Sequence, residues 1–199
     1  MARSVNVDID EAFVELSELY AFVDTKNAEN TGNLDLPCHR GCSACCKESV
    51  FMTPLEFLYA WDYVQRELDD AQRESIVREG LRLYAVHQLL IEDLEGEHTP
   101  EHDVIAAQLK FVCPLLSAGG ACLVYPQREL FARLFGSTFN SSGGVYGCGL
   151  VGSHLAGKEV TLLRASAMAD RLRALPLTFK RQVYPYYIHW LYGEMNAAL

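Results

Sequence analysis

The 199-residue chain has no apolar run approaching the ~20 residues that a membrane-spanning helix requires, so a helical span is excluded. Clustered basic residues are scarce as well. Its 17 Lys and Arg are scattered among 26 Asp and Glu, giving a net charge of −9. Phosphate backbones are held by grouped cations, so nucleic acid is excluded as a partner. The opening Met-Ala-Arg-Ser-Val-Asn-Val-Asp-Ile-Asp lacks the apolar stretch of a signal peptide. There is no internal repeat, no low-complexity tract and no Gly-rich cofactor fingerprint. No Ser-His-Asp or paired-carboxylate arrangement stands out either. Half the residues are apolar, including nine Phe and ten Tyr, which is ample for a core. The expectation is one domain over residues 1–199, in the cytoplasm.

Against these absences stands an excess of sulfur. Four of seven cysteines fall within nine residues, Cys38-His-Arg-Gly-Cys42-Ser-Ala-Cys45-Cys46, and the other three are Cys113, Cys122 and Cys148. Core packing does not call for four thiols on one short loop. A disulfide framework fits poorly: the count is odd, the chain is long, and adjacent Cys45 and Cys46 bridge only through a strained ring. Thiols at i, i+4 and i+7 converge on one ion when the loop curls, and Gly41 permits that curl. The metal-ligand candidates are therefore Cys38, Cys42, Cys45, Cys46, Cys113, Cys122 and Cys148. A projection apart of the neighbours Cys45 and Cys46 is expected, so that they do not serve one ion equally.

Periodicity reads as helix after helix, a mainly α fold with irregular cysteine-bearing loops. Ile9, Ala12, Phe13, Leu16, Leu19, Tyr20 and Val23 mark a first helix ending before Gly32. Thr53-Pro54-Leu55-Glu56 predicts a capped start to a second. A third starts near Asp69 or Asp70 and runs through Leu94 despite Gly80, and residues 96–103 read as a loop broken by Pro100. Ser117-Ala-Gly-Gly120 suggests one short hairpin, and Pro126 a helix start carrying Leu130, Phe131 and Leu134. Residues 136–153 read as irregular, followed by helices near 157–174 and 176–196, the last kinked at Pro185. The last helix carries Phe179, Tyr184, Tyr186, Tyr187, Trp190 and Tyr192. Core packing accounts for such a row, and a protein partner docking there is a further expectation.

Cys38-x3-Cys42-x2-Cys45-Cys46, then Cys113-Pro114-Leu115-Leu116 and Cys122-Leu-Val-Tyr125, resembles the bacterial YkgJ-type cysteine-cluster proteins. That family is described as zinc- or iron-chelating, with motifs CxxCxxCC, CPxL and CxxYxxRPxxCR. The resemblance covers about residues 36–135, leaving C-terminal helices at about 157–197 outside it. Arg128 and Arg133 match the last motif, but Glu129 stands at its proline and Ala132 at its cysteine. The first gap is also one residue longer. Cys148 is a candidate replacement for the missing thiol. Some proteins with this domain resemble flagellin lysine methylases, an activity not carried over to this chain.

Zinc favours two tight Cys-x2-Cys knuckles, and Cys113 and Cys122 are too far apart in sequence to form the second. Iron–sulfur clusters accept irregular spacing with remote ligands, so a [4Fe–4S] cluster is favoured, with zinc as the alternative. Cys38-x3-Cys42-x2-Cys45 has radical-SAM spacing, but no strand–helix alternation surrounds it. His39 is a candidate ligand or sulfur-directed donor, while His98 and His102 are separated by Pro100. Arg40, Lys47, Arg128 and Arg133 are available to offset thiolate charge. Whether the centre is structural, catalytic or for delivery to a partner is left open by the sequence.

Overall fold

Asp8 opens the first helix. Its carboxylate accepts from the amides of Asp10 and Glu11, at 3.0 and 3.2 Å, and α1 then runs Ile9–Thr31 to Gly32. These are details of a computed structural model that describes residues 7–37, 42–48, 51–95, 100–178 and 180–196. One face of α1, carrying Ala12, Leu16, Leu19, Tyr20 and Val23, is buried. It packs with Leu55, Leu130, Leu134, Met168 and Leu172 from three other helices.

Helix α2, Pro54–Glu67, begins as the capping box predicts, with Thr53 and Glu56 bonded reciprocally. Glu56 does more than cap. Its fully buried carboxylate accepts from Thr53 N (2.8 Å), Thr53 Oγ1 (3.0 Å), Leu130 N (2.8 Å) and the Tyr20 hydroxyl (3.2 Å). One side chain thus ties α1, α2 and the short α5, Leu130–Leu134.

Helix α3, Asp70–Glu92, is capped by Asp69 with Gln72 and leaves helical geometry locally at His87. It packs antiparallel to the C-terminal α8, Tyr184–Asn196. Gly80 is the contact point: a β-carbon there would lie 2.9 Å from Ile188 Cγ2. Further along, Gln182 Nε2 donates to the Ile91 carbonyl at 3.1 Å, and Tyr84 stacks on His189 with centroids 3.7 Å apart. Short strands β1 (Phe51–Met52) and β4 (Gln182–Val183) pair antiparallel beside them. β2 (Thr138–Phe139) and β3 (Leu163–Arg164) pair in parallel.

The mainly α expectation holds: eight α-helices and only two-residue strands are found among the described residues. None of these helices is long and apolar enough to cross a membrane. Several boundaries differ, mostly at proline. Residues 100–108 form α4 (Pro100–Gln108), where a loop through 103 was expected. Pro185 falls in the first turn of α8 and produces no kink, because a first-turn residue has no intrahelical amide bond to lose. Pro126 starts only a one-turn 3₁₀ helix, Tyr125–Gln127, and α5 begins after a separate cap at Glu129. The 117–120 turn closes a hairpin reduced to a single bridge, Leu116 to Cys122. In the region read as irregular lie β2 and α6 (Gly149–Leu155), and the helix expected near 157 starts only at Ala165, as α7 (Ala165–Arg173). Of the aromatic row in α8, Tyr184 and Tyr187 turn into the core, whereas Trp190 is 67 % exposed; Phe179 lies outside the described residues.

Candidate metal centre

The thiols arrive at one place from four stretches of chain. Cys45 and Cys46 sit in a 3₁₀ turn, Cys45–Lys47, that ends at Glu48. This turn is pinned to the next cysteine segment: Cys113 N donates to the Cys46 carbonyl at 2.8 Å, and Lys110 pairs with Glu48 at 3.2 Å. The reduced hairpin then folds Cys122 back beside Cys113, with Leu123 N donating to the Leu115 carbonyl at 2.8 Å. Cys148 stands at the N-cap position of α6 without a side-chain capping bond, and is buried against Gly136, where a β-carbon would meet the Cys148 Cβ at 3.2 Å.

All six of these thiols, Cys42, Cys45, Cys46, Cys113, Cys122 and Cys148, line a single cavity of about 830 Å³. Cys38, His39, Arg40 and His98 lie outside the described residues. Ala132, at the position where the resembled motif has cysteine, lines the same cavity. Cys148 and Ala132 thus stand on the wall of one cavity. None of the six is in a disulfide. Among the described residues no three His, Cys, Asp or Glu side chains are drawn close enough to form a preset metal site.

The thiols differ sharply in acidity. Cys45 is lowered to about 6, chiefly because the Cys46 thiol donates a hydrogen bond to its sulfur, helped by Arg128 and opposed by burial. Cys46 is pushed up in turn by giving that bond, then by burial and by the neighbouring sulfurs of Cys45, Cys113 and Cys122. Burial raises Cys113 to about 12 and also raises Cys122, the latter against the pull of Arg128 and Arg133. The 3₁₀ turn places both Cys45 and Cys46 on the cavity wall. Sequence spacing alone carries no sign of this, because it depends on the 3₁₀ geometry.

The other end of the cavity is polar. Arg133 is almost fully buried: it pairs with Asp24, donates to the carbonyls of Arg128 (2.9 Å) and Pro126, and lies 4.0 Å over the Tyr20 ring. Glu129 caps α5 through the amides of Phe131 and Ala132. Its carboxyl is raised to about 8 by burial and by the negative charge of Glu56, outweighing Arg181 and those amides. Sequence reasoning overlooked Asp24, Asn27, Gln127 and Glu129 as cavity residues, since only Glu129 stood in a motif. His102 lies on α4 and is not among the cavity residues. No protein family, curated protein or solved structure matches the chain.

Proposed function

We propose that the chain binds a soft metal centre through the thiols of this cavity, with a [4Fe–4S] cluster as the favoured occupant and zinc as the alternative. The observation that carries the reading is the convergence of six unbridged thiols, from four separate stretches, on one cavity. Thiolate sulfur suits Fe–S clusters and zinc and is a poor match for magnesium or calcium. A cluster held there would supply one-electron redox chemistry when bound. The residues do the rest. Cys45, already the most acidic thiol among those with a resolved shift, is the natural first ligand. Cys46, Cys113 and Cys122 give up protons on ligation, so loading releases acid and draws the thiols inward. Arg128 and Arg133 sit where they offset the charge of several thiolates. The resemblance to the YkgJ-type cysteine-cluster proteins points the same way.

Iron, zinc and acid-labile sulfide measured on protein purified without oxygen decide the matter. The expected result is about four iron and four sulfide per chain, with a broad visible absorption that dithionite bleaches. Stoichiometric zinc in colourless protein overturns the cluster in favour of zinc. Neither metal, from iron-replete and zinc-replete cells, sinks the proposal. Replacing both Cys113 and Cys122 by Ser is expected to abolish metal retention.

A further inference from the structure

Two of the cavity thiols are held closer by the backbone than any others. The amide of Cys113 donates to the Cys46 carbonyl at 2.8 Å, and Lys110 meets Glu48 at 3.2 Å, so residues 46–48 and 110–113 lie side by side. A backbone hydrogen bond of that length sets the two Cα atoms about 5–6 Å apart. This falls inside the span of about 4.4–6.8 Å over which a disulfide closes. The side chains also share a direction. Both line the one cavity, and Cys46 packs against the core cluster that holds Cys113 with Met52, Val124 and Tyr184. No other two cysteines are joined by a backbone hydrogen bond among the described residues. The adjacent Cys45 and Cys46 bridge only through a strained ring.

From this approach we infer that Cys46 and Cys113 form a reversible disulfide in the folded protein, a redox switch on the cavity. Both thiols are free in the structure, Cys46 half-buried and Cys113 buried. The oxidant is a small disulfide such as oxidised glutathione. The thiolate of one cysteine attacks it, one glutathione thiolate leaves, and a mixed disulfide forms. The second cysteine thiolate then attacks the protein sulfur of that bond and expels the other glutathione. Two electrons pass from the cysteines to the small disulfide, and the two cysteine protons end on the two glutathione thiols. Burial raises both thiols, which slows the exchange, so the linkage is judged at equilibrium and not by rate. Exchange among neighbouring thiols settles the bond on the pair whose backbone already stands at the right separation.

A disulfide sulfur is no longer a thiolate ligand, so closure withdraws two of the six described thiols from the cavity wall. That closure thereby shuts out metal rests on the metal reading above. The linkage itself does not.

Metal-free protein is equilibrated without oxygen in an excess of oxidised over reduced glutathione, then alkylated, digested and mapped by mass spectrometry. The expected product is a peptide pair linked through Cys46 and Cys113 in most molecules, lost on treatment with dithiothreitol. It persists in Cys45→Ser protein and is absent from Cys46→Ser protein. No such pair in folded wild-type protein overturns the inference, as does a main linkage between any other two cysteines. A second arm adds zinc to the oxidised and the reduced protein, and the oxidised form is expected to retain at least about tenfold less. Equal retention overturns the switch. Linked protein whose reduced form takes up neither zinc nor iron upholds the linkage and sinks the metal reading alone. Should a variant fail to fold, the mapping of wild-type protein decides.

Discussion

Glu129 shows how one side chain serves packing and electrostatics at once. Where the resembled motif has proline, which starts helices by its fixed φ, this chain starts α5 with a carboxylate cap. The cap is buried beside Glu56, and its proton is held up to about 8 against an ordinary value of about 4.3. Between those limits the folded protein keeps a proton that the unfolded chain releases. Stability from this group therefore falls as pH rises from about 4 to about 8, and is flat beyond. Glu129→Gln, which cannot ionise, is expected to flatten the melting temperature across that window, as thermal scans at pH 5 and pH 8 will read. An equal pH slope in both proteins would show that Glu129 titrates near its ordinary value in the fold. At this same scale the gathering of Cys42, Cys45, Cys46, Cys113, Cys122 and Cys148 at one cavity was legible in the sequence. The placement of both Cys45 and Cys46 on the cavity wall was not, since it arises from a turn type that spacing does not encode.

Among the elements, α3 and α8 meet where Gly80 leaves no room for a side chain. Gly80→Ala gains about 1 kcal/mol of helix propensity but forces Ile188 aside, and overpacking typically costs about 1–3 kcal/mol. A net loss of stability is expected, and the same alanine placed in an Ile188→Ala background, which removes the Cγ atoms that a Gly80 β-carbon would meet, should cost less. A double-mutant cycle by urea denaturation measures the difference, and strict additivity would refute the contact. Thr53→Ala removes both a cap and a hydroxyl bonded to Glu56, for an expected loss of about 1–2 kcal/mol. Trp190→Ala, on the exposed side of α8, is expected to change stability by no more than about 0.5 kcal/mol. Helices with a cap and a clear apolar face, α1, α2 and α3, were legible in the sequence almost to the residue. The misplaced ones share a physical cause. Pro100 and Pro185 break helices only in the interior and initiate them at the first turn, so composition alone cannot tell a loop from a start. Residues 158–164, lacking a cap, went instead to an extended segment ending in β3, which pairs with β2 some 25 positions earlier, a pairing no local pattern foretells.

For the molecule as a whole, the thiols are drawn from residues 42 to 148 and so span most of the core-forming elements. A centre bound across them closes long loops and binds only the folded state, so chelation is expected to lower the melting temperature by several degrees. Differential scanning calorimetry before and after metal removal checks this, and coincident curves would mean that the thiols are not cross-linked through a shared ion. The scatter of the cavity wall along the chain also bears on how the protein is made. A ribosome releases the polypeptide from its N-terminal end, so Cys42, Cys45 and Cys46 emerge about 100 residues ahead of Cys148. At about 5–20 residues per second this leaves them waiting on the order of 5–20 s. During that interval these thiols face the surrounding medium without the burial that the folded protein gives Cys113 and Cys122. A centre that needed all of these thiols would be inserted only after residue 148 is translated, and the early thiols are exposed to oxidants until then.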